Sequence, residues 1–194
     1  MKKVSLLFVV FGLFVAFGCS RKITRVNPDK QVDLSGRWND VDAKMVAGEM
    51  IKQVLSERWL GEFTTANPSK KPVVIVGFVN NKSHEHIEAE TFIKDVEREF
   101  INSGQVRLVQ GGEKREQVRG ERADQQDNAS VSTMKKWGLE VGADFMMQGS
   151  INSNVDSYKK DKVVLYKVNL ELTNIQTNEI VWIGDKEIKK EIRN

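Results

Sequence analysis

Two histidines separated by a single residue, His84 and His86, are the most obvious candidates for chemistry in this sequence. In a strand their imidazoles would share a face and could bind a metal ion, with Glu88 or Glu90 as a further ligand. The alternative is a solvated polar loop in which Ser83 caps the following helix. We favour the loop, because no other histidine is present and the only cysteine lies near the N-terminus. We therefore predict no metal site.

The sequence contains none of the motifs that identify common catalytic centres. There is no nucleophile turn of the Gly-x-Ser-x-Gly type, no His-Glu-x-x-His zinc motif and no phosphate-binding loop. Carboxylates are numerous, but none lies within an apolar run, where burial would raise its pKa for acid–base catalysis. The tryptophans are scattered over different predicted elements and are expected to pack in the core. The sequence thus predicts a protein that is not an enzyme and has no cofactor.

The one cysteine, Cys19, follows a segment typical of an exported bacterial protein. Two lysines precede an apolar run over residues 4–17. As a helix this run would span about 21 Å, which is too short for the roughly 30 Å core of a bilayer. Gly18 directly before the cysteine resembles a bacterial lipobox, in which the thiol accepts a lipid. The alternative is a secretory peptide or an anchor in which the cysteine has no role.

The composition is that of a folded protein, with 40% hydrophobic and 29% charged residues. At 194 residues the chain can form a hydrophobic core without disulfides. Its net charge is +3, and loss of the two lysines of the signal peptide would leave a nearly neutral mature protein. Weak charge does not favour a nucleic-acid partner. We expect neither a nucleic acid nor a small-molecule substrate.

Hydrophobic periodicity predicts three helices. The first begins at Asp40 or Asp42, either of which could be the N-cap, and ends near residue 60, the second covers about residues 88–102, and the third covers residues 131–141. Residues 113–126 are nearly all polar or charged. This segment could form either an exposed helix or a mobile lobe.

Strands are predicted over residues 73–79, 106–109 and 145–151, followed by an antiparallel hairpin that pairs residues 166–172 with 180–188. The first strand is rich in β-branched residues and does not alternate, which favours a strand covered on both faces. In the hairpin, four apolar residues alternate with polar ones and should face the core; they are Tyr166, Val168, Leu170 and Leu172. The order of elements predicts an α/β (α+β) fold, with a mixed central sheet, a C-terminal antiparallel hairpin and helices packed on it.

We divide the chain into a signal peptide over residues 1–18, a lipidated N-terminus and flexible tether over residues 19–40, and a single domain over residues 41–194. The tether has no apolar periodicity and one proline. Its roughly 20 residues would span at most about 70 Å when extended and about 25 Å as a relaxed coil. The domain is therefore expected to stay close to the lipid surface.

Several segments in a fixed order together resemble the LpoB family of outer-membrane lipoprotein activators of penicillin-binding proteins. These segments are residues 36–42, 78–83, 103–104, 142–144, 149–151 and 175–182. Similar blocks occur in the curli-secretion lipoprotein CsgG and in the N-terminal domain of TolB. The resemblance implies a small α/β domain held at the outer membrane by a lipid on Cys19, facing the periplasm. Ser20 after the cysteine, rather than aspartate, agrees with the outer membrane.

The same resemblance implies a protein partner, a bifunctional penicillin-binding protein that polymerises and crosslinks peptidoglycan. The protein would stimulate this synthase and have no catalysis of its own. Loops on a rigid sheet are common recognition sites, and charges at the rim of an interface govern encounter rates. The candidate partner-binding residues are Asn80, Asn81, Lys82, Ser83, His84, Lys114 and Arg115.

A second hypothesis is a structural component of an outer-membrane assembly or secretion complex, as CsgG-like proteins are. A pore would need strands of about 9 to 11 residues that are apolar on one face. Only the last hairpin has such length, and its end carries several charges, at Lys186, Glu187, Lys189 and Lys190. These charges count against a pore but not against a role as a non-pore component.

Overall fold

The structure is a computed structural model that describes residues 23–27, 30, 32–128 and 140–193. The signal peptide, Cys19 and most of the helix expected over residues 131–141 lie outside the described residues. The chain divides into two units, Met1–Lys30 and Gln31–Asn194. In the first unit, the backbone N–H of Lys30 donates to the carbonyl of Asn27 at 3.0 Å. All elements described below belong to the second unit.

The second unit contains one five-stranded mixed sheet. Its strands are β1 (Val73–Lys82), β2 (Arg107–Leu108), β3 (Phe145–Tyr158), β4 (Asp161–Asn174) and β5 (Ile180–Ile192). The order across the sheet is β2-β1-β3-β4-β5. β1 runs parallel to β2 and β3, whereas β3, β4 and β5 are mutually antiparallel. The predicted fold class is confirmed.

Four helices are described, α1 (Asp40–Ser56), α2 (Arg58–Ala66), α3 (Ala89–Ser103) and α4 (Gly112–Asn128). α1 packs against α3 and β5, and α3 packs against β1 and β2. These two helices cover one face of the sheet, and the core lies between the helices and this face. Within the described residues, the other face is open except at the first half of β1, where Val73 and Ile75 are buried; an open face is common for a sheet with antiparallel strands.

The N-cap of α1 is Asn39 and not one of the two predicted aspartates. Its side-chain oxygen accepts the backbone N–H groups of Val41 and Asp42 at 3.0 and 3.1 Å. The Asp42 carboxylate accepts the N–H of Asn39 in return, at 2.9 Å. This capping box satisfies backbone donors that the first turn of a helix leaves free.

The predicted first helix is divided in two, because Glu57 adopts an extended conformation between α1 and α2. The indole N–H of Trp59 donates to the carbonyl of Val54 at 2.6 Å. The indole ring packs edge-on against Phe145, with centroids 4.9 Å apart. Burial of this ring thus turns the chain back onto the start of β3. The second predicted helix is confirmed, and it ends at Gly104 in the left-handed conformation.

The predicted pairing of residues 166–172 with 180–188 is confirmed, with Tyr166 opposite Ile188 and Leu172 opposite Trp182. All four alternating apolar residues of β4 are buried, with exposures of at most 1%. β1 is buried on both faces only over its first half, because Phe78 is 76% exposed. Residues 113–126 belong to α4, a helix with no buried residue, so that the helical alternative for this segment is correct.

Candidate functional site

The first five predicted partner-binding residues lie at the end of β1 and in the turn after it. Asn80, Asn81 and Lys82 were expected in a loop, but they belong to the strand. They continue the parallel pairing with β3, opposite residues 150–152. The loop prediction was wrong here because β3 is twice as long as its apolar pattern suggests and offers pairing partners for these polar residues.

Asn81 organises the turn after the strand. Its side-chain N–H group donates to the carbonyls of Glu85 and Ile87, at 2.9 and 3.4 Å. Its side-chain oxygen accepts the backbone N–H of Ser83 at 3.0 Å. Ser83 is therefore part of this turn and not the cap of α3, whose N-cap is Glu88. Because Asn81 uses its amide within the turn, its contribution to a partner surface is indirect.

His84 is held by β3 and by the neighbouring residue of its own turn. Its backbone N–H donates to Oγ of Ser153 at 2.9 Å, and its Nδ1 lies 2.6 Å from the same oxygen. Nε2 lies 3.2 Å from Oε1 of Glu85. The imidazole also stacks on the ring of Tyr166, with centroids 6.3 Å apart. His86 makes none of these contacts with β3 or Tyr166, since its side chain is 93% exposed.

The order of side chains from Ser153 through His84 to Glu85 resembles the relay of a serine hydrolase. In a relay of that kind the serine oxygen is a nucleophile that faces a substrate. Here Ser153 Oγ instead accepts a backbone N–H, and the carboxylate binds donors from two other elements. These bonds fix the position of the turn. Among the described residues, no group of three or more His, Cys, Asp or Glu side chains could hold a metal ion.

Glu85 is the centre of a nearly buried polar cluster, with a side chain only 9% exposed. The phenol of Tyr166 donates to Oε1 at 2.5 Å, and the backbone N–H of Trp38 donates to Oε2 at 3.3 Å. The same N–H also lies 3.2 Å from the phenol oxygen. Burial raises the pKa of the Tyr166 phenol, and its hydrogen bond to the Glu85 carboxylate raises it further. The cluster joins the turn, the sheet and the segment before α1.

A second buried cluster holds the same segment near the end of β5. The ammonium group of Lys190 donates to the carboxylates of Asp33 and Asp42, at 2.7 and 2.6 Å, and to the carbonyl of Arg37 at 2.9 Å. Burial alone would lower the pKa of Lys190, but the bonds to the two carboxylates outweigh it and raise the pKa. Residues 33–39, predicted as part of the tether, thus contact the sheet.

Lys114 and Arg115 lie in the first turn of α4. The Lys114 ammonium pairs with Glu90, in the first turn of α3, at 3.0 Å. This hydrogen bond lowers the pKa of the Glu90 carboxyl and raises that of Lys114. Arg115 donates to the carbonyl of Gln110 at 2.8 Å. Lys114 therefore lies close to α3, the helix that follows the turn after β1. Arg115 instead contacts the loop that precedes α4.

The open face of the sheet carries a shallow groove of about 390 Å³ that the sequence did not predict as a site. Its lining side chains are Phe78, Asn80, Lys82, Gln148, Ser150, Asn169, Glu171 and Ile183. Two of the predicted partner-binding residues, Asn80 and Lys82, belong to this set. For Gln148, Ser150, Asn169 and Glu171 the signal was the polar alternation along β3 and β4, which marks the face opposite the core.

A family model of the peptidoglycan-synthase activator LpoB matches residues 42–188. This chain belongs to the LpoB family. Similar solved structures include the LpoB C-terminal domain from Escherichia coli, 20% identical, with a TM-score of 0.47 and coverage of 79% of this chain and 99% of that chain. The same domain from Salmonella enterica is 18% identical, with a TM-score of 0.43 and coverage of 76% and 98%. No curated protein matches the chain.

The match to the LpoB family confirms the resemblance seen in the sequence. The matched residues include the end of β1, the following turn, the start of α4 and the groove. Residues 33–39 and Lys190, which are joined by hydrogen bonds, lie outside the match. No helix within residues 23–27, 30, 32–128 and 140–193 is long and apolar enough to cross a membrane.

Proposed function

We propose that this LpoB-family protein is anchored to the outer membrane by a lipid on Cys19 and that it binds and stimulates a bifunctional penicillin-binding protein. The observation that carries the proposal is the match of the LpoB family model over most of the chain. The family is described as an activator of a peptidoglycan synthase. A role without catalysis of its own agrees with the use of the Ser153, His84 and Glu85 side chains to hold a turn.

The proposed contact surface comprises the end of β1 and the first turn of α4. Asn80 and Lys82 are exposed, and within the described residues the Lys82 ammonium has no ion-pair partner. The adjoining turn is rigid, because Asn81 and Glu85 fix it through several hydrogen bonds. A rigid surface loses little conformational entropy on binding, which favours recognition. Activation would then follow from tighter binding to the active state of the synthase.

The docking of residues 33–39 on the sheet limits the reach of the proposed tether. The part left between Cys19 and this segment has about 13 residues and spans at most about 45 Å when extended. The partner would have to bring its activator-binding region within this distance of the outer membrane. This short reach makes a synthase with a long periplasmic extension the expected partner.

The test uses the full chain in detergent and each bifunctional synthase of the same organism, with lipid II as substrate. We expect the chain to increase the rate of glycan polymerisation or crosslinking. Lys82→Glu should weaken this effect, mainly through slower association that depends on salt, and leave the melting temperature unchanged. Lys189→Glu is the matched control, since Lys189 is an exposed residue on β5, three strands away.

If the unaltered chain neither binds a bifunctional synthase nor changes its rate, the activator proposal fails. The hypothesis of a structural component of an outer-membrane complex would then replace it. An equal effect of Lys82→Glu and Lys189→Glu would contradict the proposed contact surface but not the activation itself.

A further inference from the structure

The groove on the open face contains polar side chains that the fold does not use. Among the described residues, the amides of Asn80, Gln148 and Asn169 make no hydrogen bond, and Lys82 and Glu171 form no ion pair. The groove crosses β1, β3, β4 and β5, whose backbones lie about 4.8 Å apart. Asn80 and Asn169 lie opposite Ser150 on its two sides, and Gln148 lies two residues along β3 on the same face, so that the three unused amides form a row of donors and acceptors around Ser150. Such solvated groups can exchange their water for a ligand at small cost.

The chemistry of this row restricts the ligand. Each amide offers both N–H donors and a carbonyl acceptor. The one cation, Lys82, is balanced by the one anion, Glu171, so that a polyanion would find no concentration of positive charge. The groove also has none of the Trp, Tyr and Arg residues that dominate the centres of protein interfaces. A neutral ligand rich in hydroxyl and amide groups fits this lining best.

Two exposed apolar side chains border the row of amides. Phe78 is 76% exposed on β1, and Ile183 is 69% exposed on β5. Apolar surfaces of this kind pack against the C–H groups on the flat face of a sugar ring, with the ring hydroxyls directed at neighbouring polar groups. A side-chain amide beside such a surface can donate to the carbonyl of an acetamido group or accept its N–H, and two amides on either side of the group can bond both.

We propose that this groove binds a glycan whose sugars carry acetamido groups. Phe78 and Ile183 contact the sugar faces, and Asn80, Gln148 and Asn169 bond the acetamido and hydroxyl groups. Lys82, near the end of β1, binds a carboxylate where the glycan carries one. This binding needs no synthase and is thus an additional function. Because Asn80 and Lys82 also belong to the proposed synthase contact surface, the glycan and the synthase would compete for the end of β1.

Two probes distinguish the sources of this chemistry. Chitotetraose has acetamido groups but no carboxylate, whereas purified peptidoglycan sacculi have both. We expect the full chain in detergent to bind chitotetraose by calorimetry and to sediment with sacculi. Gln148→Ala and Asn169→Ala should each weaken both interactions about fivefold to tenfold. Lys82→Gln should weaken binding to sacculi only. Gln53→Ala, an exposed amide on α1, is the matched control and should bind normally.

The proposal is overturned if neither probe binds at millimolar concentration, or if the groove variants bind as the unaltered chain does while keeping its melting temperature. It is also overturned if the groove variants lose synthase binding but not glycan binding, because the groove would then dock a protein. Normal glycan binding by a chain that activates no synthase would contradict only the proposed function.

Discussion

The phenol oxygen of Tyr166 lies 2.5 Å from Oε1 of Glu85, and this bond connects the buried face of the sheet with the turn after β1. Tyr166 is fully buried on β4. Its hydroxyl also lies within bonding distance of the backbone N–H of Trp38. One side chain thus fixes both the turn that carries the proposed contact residues and the segment through which the chain enters the domain.

Replacement of Tyr166 by phenylalanine should destabilise the domain by about 1–3 kcal/mol. The change removes the hydroxyl donor from a carboxylate that is nearly buried, and a buried acceptor without its donor carries a desolvation penalty. The measurement is chemical denaturation of Tyr166→Phe beside the unaltered chain. Tyr158→Phe is the control, because Tyr158 is 74% exposed and its loss of a hydroxyl should cost little. Equal midpoints for all three proteins would show that this hydrogen bond does not stabilise the fold.

The pair formed by Lys190 and Asp42 gives a second stability prediction. The Asp42 side chain is 4% exposed and that of Lys190 is 10% exposed. Lys190→Met should cost about 3–5 kcal/mol, because it leaves the Asp42 carboxylate buried without a cation. Lys189→Met should change the stability by less than about 0.5 kcal/mol, since its neighbour Lys189 is exposed. A Lys190→Met protein as stable as Lys189→Met would contradict this prediction.

The pH dependence of stability follows from the raised pKa values of Lys190 and Tyr166. Each group binds its proton more tightly in the folded state than in the unfolded state. Its contribution is complete below the ordinary pKa, about 10.5 for lysine and 10.0 for tyrosine, and is lost as the pH rises through the folded value. We therefore expect stability to fall above about pH 10, by at most about 1.4 kcal/mol per pH unit for each group.

Alkaline denaturation profiles of Lys190→Met and Tyr166→Phe check this expectation. Each variant should lose less stability than the unaltered chain between neutral pH and about pH 11. Profiles parallel to that of the unaltered chain would show that neither pKa differs between the folded and unfolded states.

The sequence was sufficient to predict the elements whose side chains alternate in a regular way. In β4, the alternation of Tyr166, Val168 and Leu170 with polar residues correctly predicted both the strand and its buried face. It did not predict that β3 and β4 are joined by a hairpin, because the turn consists of Lys159 and Lys160. Lysine is not a typical turn residue, and Lys159 nevertheless adopts a positive φ of 55°.

The buried polar clusters were missed because they depend on contacts between distant residues. Glu85 lies in a polar stretch, and only the fold brings Tyr166 and Trp38 to it. Two signals were present in the sequence. Asn39 and Asp42 have the spacing of a capping box. Lys190 has the same parity along β5 as Trp182, so that alternation directs it to the core side, where a lysine needs an acidic partner.

The proposed lipid anchor can be tested by metabolic labelling, although Cys19 lies outside the described residues. Cells that are supplied with labelled palmitate should yield labelled protein, whereas Cys19→Ala should yield none and should accumulate as the uncleaved precursor. Ser20→Ala is the control and should be labelled normally. Label that persists in Cys19→Ala would mean that another residue carries the lipid or that the chain is not a lipoprotein.

Gly149 gives the sharpest prediction about the sheet, because its position in β3 leaves no room for a side chain. A Cβ atom there would overlap the carbonyl oxygen of Asn169 on β4, and backbone cannot move aside as a flexible side chain can. Gly149→Ala should therefore destabilise the domain by several kcal/mol, and it should also distort the groove. Gly48→Ala is the matched control: nothing lies within 4 Å of a Cβ at this helical position, so alanine should stabilise α1 by about 0.5–1 kcal/mol. Denaturation midpoints that move in the same direction for both variants would show that β3 and β4 do not approach each other as closely as the structure has them.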